Sequence, residues 1–266
     1  MFEGSMVAMA TPMLDDGTVD TASSTLTVPE HASVVKQVVT LVNKRIPVIA
    51  GTGANATAEA IELTKHAKEA GADACLLVTP YYNKPTQEGL YQHYKAVANA
   101  VAIPQILYNV PGRTALDMRP ETTARLSAIA NIIGIKEAYG EVSRIKALLD
   151  VCEPGFMIVT GDDSTAMESI LAGAHGDISV TANVVPREMH EMCKAARAGD
   201  RATAEAIEAR ISDLHSVLFL ESNPIPVKWA LNQMGRMGSG IRLPMTPLAA
   251  EFEAPVRAAL EKAGAL

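Results

Sequence analysis

The chain has 266 residues, 48% of them apolar, and 23 basic against 30 acidic side chains give a net charge of −7. That balance offers no cationic surface for nucleic acid or an anionic membrane, and no window reaches the 18 uncharged apolar residues of a membrane span. Three scattered cysteines (Cys75, Cys152, Cys193) and six scattered histidines form neither a CxxC pair nor an HExxH motif, so we expect a reducing cytoplasm, no disulfide framework and no metal.

The first stretch, GSMVAMATP (Gly4–Pro12), is a strand candidate and not an export leader, because no basic residues precede it and Glu3 interrupts it. Six more short apolar runs follow: Ile46–Gly51, Ala72–Pro80, Pro104–Pro111, Asn131–Ala138, Phe156–Asp163 and Gly176–Asn183. Most are continuously apolar, which suits parallel strands covered on both faces. Amphipathic stretches separate them, at Pro29–Asn43, Thr57–Ala70, Thr86–Ala100, Pro120–Ala128, Val142–Asp150 and Ser164–Ala172. The repeat predicts an α/β fold with right-handed crossovers. After Asn183 only helical patterns remain, at Pro186–Ala198, Arg201–Leu220, Pro224–Met234 and Ala249–Ala263, with Gly199 free to turn between the first two. The division expected is a (β/α) barrel over 1–198 and a helical extension over 199–266.

A TIM barrel requires eight strands, and the pattern supplies seven. The shortfall lies between Asp16 and Val28, where GTVDTASSTLTV is too short for a helix, a turn and a strand. An open doubly wound sheet accommodates seven strands, but the GxGxxG fingerprint is missing; GTGANAT (Gly51–Thr57) reads instead as a tight βα turn.

Polar residues gather where strands end: Thr79–Asn83, Tyr108–Thr114, Lys136–Glu137, Gly161–Asp163 and Ser179–Asn183. In a barrel these ends share one mouth. Lys136 sits at the end of an apolar strand in IGIKEAYG. Pointing inward, its stem rises through apolar packing, and desolvation favours the neutral amine that attacks a carbonyl; a snorkelling or ion-paired lysine is the plainer alternative. Glu137 faces the other way and is expected to be structural. Tyr108, ending the preceding strand, can relay a proton beside such an amine; an aromatic core cap with a satisfied hydroxyl is the plainer alternative. Arg113 offers a bidentate partner for a carboxylate, or is simply a surface arginine. Tyr81 and Tyr82 read as interface aromatics or a further proton relay.

GSMVAMATPM, RIPVIAGTGANAT, LLVTPYYNKPTQEG, QILYNVPGRT, IIGIKEA, GDISVTAN and ESNPIPVKWAL together resemble the bacterial 4-hydroxy-tetrahydrodipicolinate (dihydrodipicolinate) synthases, in the same order along nearly the whole chain. The resemblance implies a TIM barrel lyase that joins pyruvate to L-aspartate 4-semialdehyde through a lysine imine, with no cofactor. Lys136 then matches the imine-forming lysine and Tyr108 the relay tyrosine. Tyr82 matches a tyrosine inserted by a neighbouring subunit of a homodimer or homotetramer. Arg113 matches the arginine that holds the aldehyde's carboxylate, while Gly161 and Ile178 match pyruvate contacts. Ser23, Ser24, His31, Asn55, Glu59 and Tyr81 match a lysine-feedback site, with Val28 in place of a second histidine, which implies weak feedback. A sialic acid or keto-sugar acid lyase of the same fold is the alternative, and Arg113 argues against it.

The resemblance also identifies the shortfall. Relatives carry a helix and a strand ending in GTTGE where this sequence passes from Asp20 to Thr21, so about 25 residues are lacking, including two threonines that bind pyruvate. A true deletion would open ladder hydrogen bonds and leave an impaired barrel. The intact remainder of the pattern favours residues left out of the record of the chain.

Overall fold

The computed structural model describes residues 2–10, 12–13 and 26–266. The 266-residue sequence itself passes directly from Asp20 to Thr21, without the expected helix and GTTGE strand. The stretch expected to border them, including Ser23 and Ser24, lies outside the described residues.

Seven strands are present among the described residues, each inside one of the seven apolar runs: β1 (Gly4–Val7), β2 (Ile49–Gly51), β3 (Ala74–Val78), β4 (Gln105–Asn109), β5 (Ile132–Glu137), β6 (Met157–Thr160) and β7 (Gly176–Ser179). The helices are α1 (Val28–Val42), α2 (Thr57–Ala70), α3 (Gln87–Ala100), α4 (Pro111–Thr114), α5 (Pro120–Ser127), α6 (Val142–Val151), α7 (Ala166–Leu171), α8 (Pro186–Arg197), α9 (Arg201–Val217), α10 (Ile225–Gln233) and α11 (Ala250–Lys262). The chain divides into two compact units.

The first unit takes in residues 32–162. In it β2, β3, β4, β5 and β6 pair in that order, all parallel. The strands are covered on both faces: all four residues of β6 and five of six in β5 are buried. Between them α2 buries Ala60, Leu63, Thr64 and Ala67, an i, i+3, i+4, i+7 stripe on one face. Burying a leucine such as Leu63 contributes about 2 kcal/mol. The helix stops where Gly71 takes φ 90° and its N–H caps the carbonyls of Ala67 and Lys68. At the start of α3, Thr86 caps by accepting from Gly89 N–H. The GTGANAT turn is tight, as expected. A Cβ on Gly53 would lie 2.8 Å from Val78 Cγ1 and 2.9 Å from the Leu77 carbonyl carbon, so only glycine lets the turn pass β3 this closely.

The second unit holds residues 3–31, 163–171 and 176–266. Here β1 pairs parallel with β7, from Gly4↔Gly176 to Val7↔Ser179. α8 buries Met189, Met192, Cys193 and Ala196 along one stripe. Gly199 (φ 73°) then turns the chain, and Asp200 caps α9 by accepting from Thr203 N–H at 3.1 Å. None of the described helices is long and apolar enough to cross a membrane.

Candidate active site

Lys136 and Tyr108 are directly paired across β5 and β4. Side chains alternate along a strand, so this pair shares one face and the next pair, Glu137 and Asn109, shares the other. Lys136 is 5% exposed, and its Nζ lies 4.5 Å from the centre of the Tyr108 ring. The hydroxyl-bearing ring and the amine therefore meet at adjacent strand ends, as the sequence predicts. Gly161, just past β6, makes room for the lysine: a Cβ there would overlap Lys136 Cε and lie 3.0 Å from Cγ. The glycine is required because the stem of Lys136 occupies the space that any side chain would fill.

The opposite face of the same strand ends carries a buried polar network that the sequence did not reveal. Asn109 Nδ2 donates to Glu137 Oε1 (3.0 Å) and Oε2 (3.2 Å) and to Asp117 Oδ1 (2.8 Å). Asn109 Oδ1 accepts from Met118 N–H. Asp117 pairs with Arg144 at 2.7 Å, and Glu137 Oε1 accepts from Tyr139 N–H at 2.9 Å. Glu137 is thus structural, as expected, but its direct partners are an amide and a backbone N–H. Burial pushes its carboxyl up to about 7, against the hydrogen bond from Asn109 and the charge of Arg144. Tyr139, half exposed beyond the strand, lies under the Arg144 guanidinium, 4.3 Å from ring centre to Cζ.

Arg113 is exposed on α4, a single turn with Pro111 in its first position and Ala115 in the left-handed region after it. The turn is anchored from below by two buried hydroxyls. Thr79 Oγ1 donates to Thr114 Oγ1 at 3.3 Å, and Thr114 Oγ1 lies 3.2 and 3.0 Å from the carbonyls of Val110 and Leu116. Neither threonine was singled out for this from sequence, because each looked like one more polar residue after a strand.

Tyr82 is 90% exposed and holds φ at 65°, an uncommon conformation for a bulky residue. Tyr81 beside it is also exposed. Their loop is tied to the β2–α2 turn, where Asn83 Nδ2 donates to the Asn55 carbonyl at 2.9 Å. Glu59 is exposed in the first turn of α2. The first unit therefore brings Lys136, Tyr108 and Gly161 together, and sets Asn55 beside the Tyr81–Tyr82 loop. Ile178, on β7 opposite Met6, and His31, on α1, belong to the second unit.

Parallel βα units with a buried lysine and a tyrosine at adjoining strand ends define a protein of the βα-barrel class, with its polar side chains gathered after the strands. The family model for the dihydrodipicolinate synthetase family matches residues 21–263. The chain belongs to that family. It is 58% identical to the 4-hydroxy-tetrahydrodipicolinate synthase of Thioalkalivibrio sulfidiphilus, over 99% of this chain and 98% of that one. With the synthase of the same name from Stutzerimonas stutzeri it shares 57% over the whole of both chains. Among solved structures, the dihydrodipicolinate synthase of Acinetobacter baumannii, complexed with pyruvate, superposes with a TM-score of 0.98 at 53% identity over the whole of both chains. The Aquifex aeolicus enzyme gives 0.95 at 42% identity, over 99% and 98% of the two chains.

The alignment with the Stutzerimonas stutzeri relative spans 291 positions and includes all of both chains. This chain has 266 residues, so 25 positions (291 less 266) have no residue here, the size of the segment found lacking from the sequence pattern. The family model begins to match at Thr21, the first residue after the expected junction.

Proposed function

We propose that this protein is a 4-hydroxy-tetrahydrodipicolinate synthase, condensing pyruvate with L-aspartate 4-semialdehyde. The observation that carries the reading is the buried Lys136 amine set 4.5 Å from the Tyr108 ring at paired strand ends. The amine attacks the pyruvate carbonyl, and loss of water gives the imine. Tyr108 moves the proton as the carbinolamine collapses. Loss of a methyl proton turns the imine into an enamine, whose carbon adds to the aldehyde. The amine of the second substrate then displaces Lys136 and closes the ring. In this reading Arg113 holds the carboxylate of the semialdehyde, while Gly161 and Ile178 border pyruvate.

Tyr82, exposed and in the left-handed region, suits insertion into a second copy of the chain, so the working form is a homodimer or homotetramer. We assign lysine feedback to the sequence positions Ser23, Ser24, His31, Asn55, Glu59 and Tyr81. The site needs no cofactor beyond the imine itself, and the cytoplasm suits its reduced cysteines. Residues 1–198 supply the catalytic barrel and 199–266 its helical extension. A second reading, an impaired barrel that forms the imine but turns over slowly, is favoured by the 25 lacking positions.

Borohydride reduction in the presence of pyruvate tests the proposal. The expected result is one pyruvate-derived adduct on Lys136, with none in the Lys136→Ala variant. An adduct at another lysine would overturn the assignment. Adduct formation without ring closure on adding the semialdehyde would select the impaired barrel.

A further inference from the structure

The helical part of the second unit contains a cavity of about 240 Å³, bordered by Ile225, Lys228, Trp229 and Asn232 of α10 and by Ile241 and Leu248 beyond it. Lys228 is 5% exposed, and its Nζ has no hydrogen-bond partner. It is buried because α10 turns Ile225, Val227, Lys228 and Ala230 inward, and the helix gives the ammonium nothing to donate to. An unpaired charge in an apolar surround is unfavourable, and a counter-ion relieves it. Among the described residues that border it, no other is titratable, and Asn232 and Ser239 are the other polar side chains. On α11 the guanidinium of Arg257 is already engaged, 5.5 Å over the Trp229 ring and donating to Gln233 Oε1. The Asn232 amide is also in use, donating to the Met237 carbonyl at 3.1 Å.

We propose that this cavity is a binding site for a small organic carboxylate, held by the ammonium of Lys228 with its carbon chain against Trp229, Ile225, Ile241 and Leu248. The apolar walls and the single cation select a monoanion with a short hydrocarbon tail over inorganic oxyanions, which need several donors. The volume corresponds to roughly eight waters, room for a carboxylate of about six non-hydrogen atoms. Burial alone lowers the Lys228 amine to about 8, so near neutral pH it still carries its proton and the charge that an anion would meet.

Isobutyrate is the probe, titrated by calorimetry in a Lys136→Met background that removes the buried amine at the end of β5. The expected result is saturable binding at least about tenfold tighter than that of the neutral isostere isobutyramide, one tenfold being 1.4 kcal/mol. Adding Lys228→Met should abolish the preference. Equal affinity for acid and amide, or a preference that survives Lys228→Met, overturns the proposal, as does tighter binding of sulfate than of isobutyrate. Where the double variant does not fold, the acid-to-amide ratio is followed with pH in the Lys136→Met protein. It should fall about tenfold between about pH 7 and pH 9.5 as Lys228 loses its proton, and a constant ratio overturns the site.

Discussion

Glu137 is a carboxylate kept in the interior by hydrogen bonds to its charged form, against a burial cost that exceeds them. Its folded pKa of about 7 stands above the ordinary value of 4.5. The native state therefore holds a proton between those values that the unfolded chain has released. Stability contributed by the protonated form is complete below about pH 4.5, declines as pH rises, and is lost above about pH 7. Replacing Glu137 by Gln keeps the size, and keeps an acceptor for Asn109 and Tyr139, but removes the titration. The slope of unfolding free energy between these pH values should flatten in Glu137→Gln. At about pH 8 the variant should match or exceed the parent by up to about 3 kcal/mol, the linkage value of a shift of this size. Urea melts at several pH values check this; an unchanged slope would mean that another group dominates acid-range stability. The network was not legible as such. Strand alternation placed Glu137 opposite Lys136, but its partner Asn109 depends on the β4–β5 register, which shifts at a bulge between Gln105 and Ile106.

At the scale of elements, the strands were legible because burial on both faces makes each one a continuous apolar run. Their ends were not. The run Pro104–Pro111 contains β4 only to Asn109, and its last residue, Pro111, opens α4, whose single turn is too short to show a helical period. Lys136 and Tyr108 could be found because both interrupt apolar strands. Thr79 and Thr114 could not, because their role depends on a contact across 35 residues. They link the end of β3 to the turn bearing Arg113, so Thr79→Val should loosen that turn while leaving Lys136 in place. Losing one hydrogen bond, about 1 kcal/mol, should raise KM for the semialdehyde three- to tenfold. The rate of pyruvate trapping should stay within about twofold of the parent. Steady-state kinetics with each substrate varied separately decide the point. Equal effects on both substrates would place the threonine pair under the lysine instead.

At the scale of the whole molecule, the chain keeps the family's order of elements yet carries 25 fewer positions than a relative it matches over its full length. The sequence pattern assigns these positions to a helix and an interior strand; such a strand satisfies the backbone groups of two neighbours and supplies residues at the strand-end face, so we expect its loss to act on stability and catalysis together. Grafting the corresponding 25 residues of the Stutzerimonas stutzeri relative between Asp20 and Thr21 separates the two effects. A strand of about five residues with its ladder bonds restored, at about 1 kcal/mol each, should add at least about 3 kcal/mol to unfolding stability. Turnover should rise at least about tenfold if the segment contributes donors to bound pyruvate, since each such donor is worth about 1.5–3 kcal/mol. The proportion of Lys136 trapped at saturating pyruvate should not change, because the amine, Tyr108 and Gly161 are already assembled. A graft that stabilises the protein without raising turnover would confine the lost segment to a structural role. A graft that does neither would show that the 266-residue chain closes its sheet and its site by other residues.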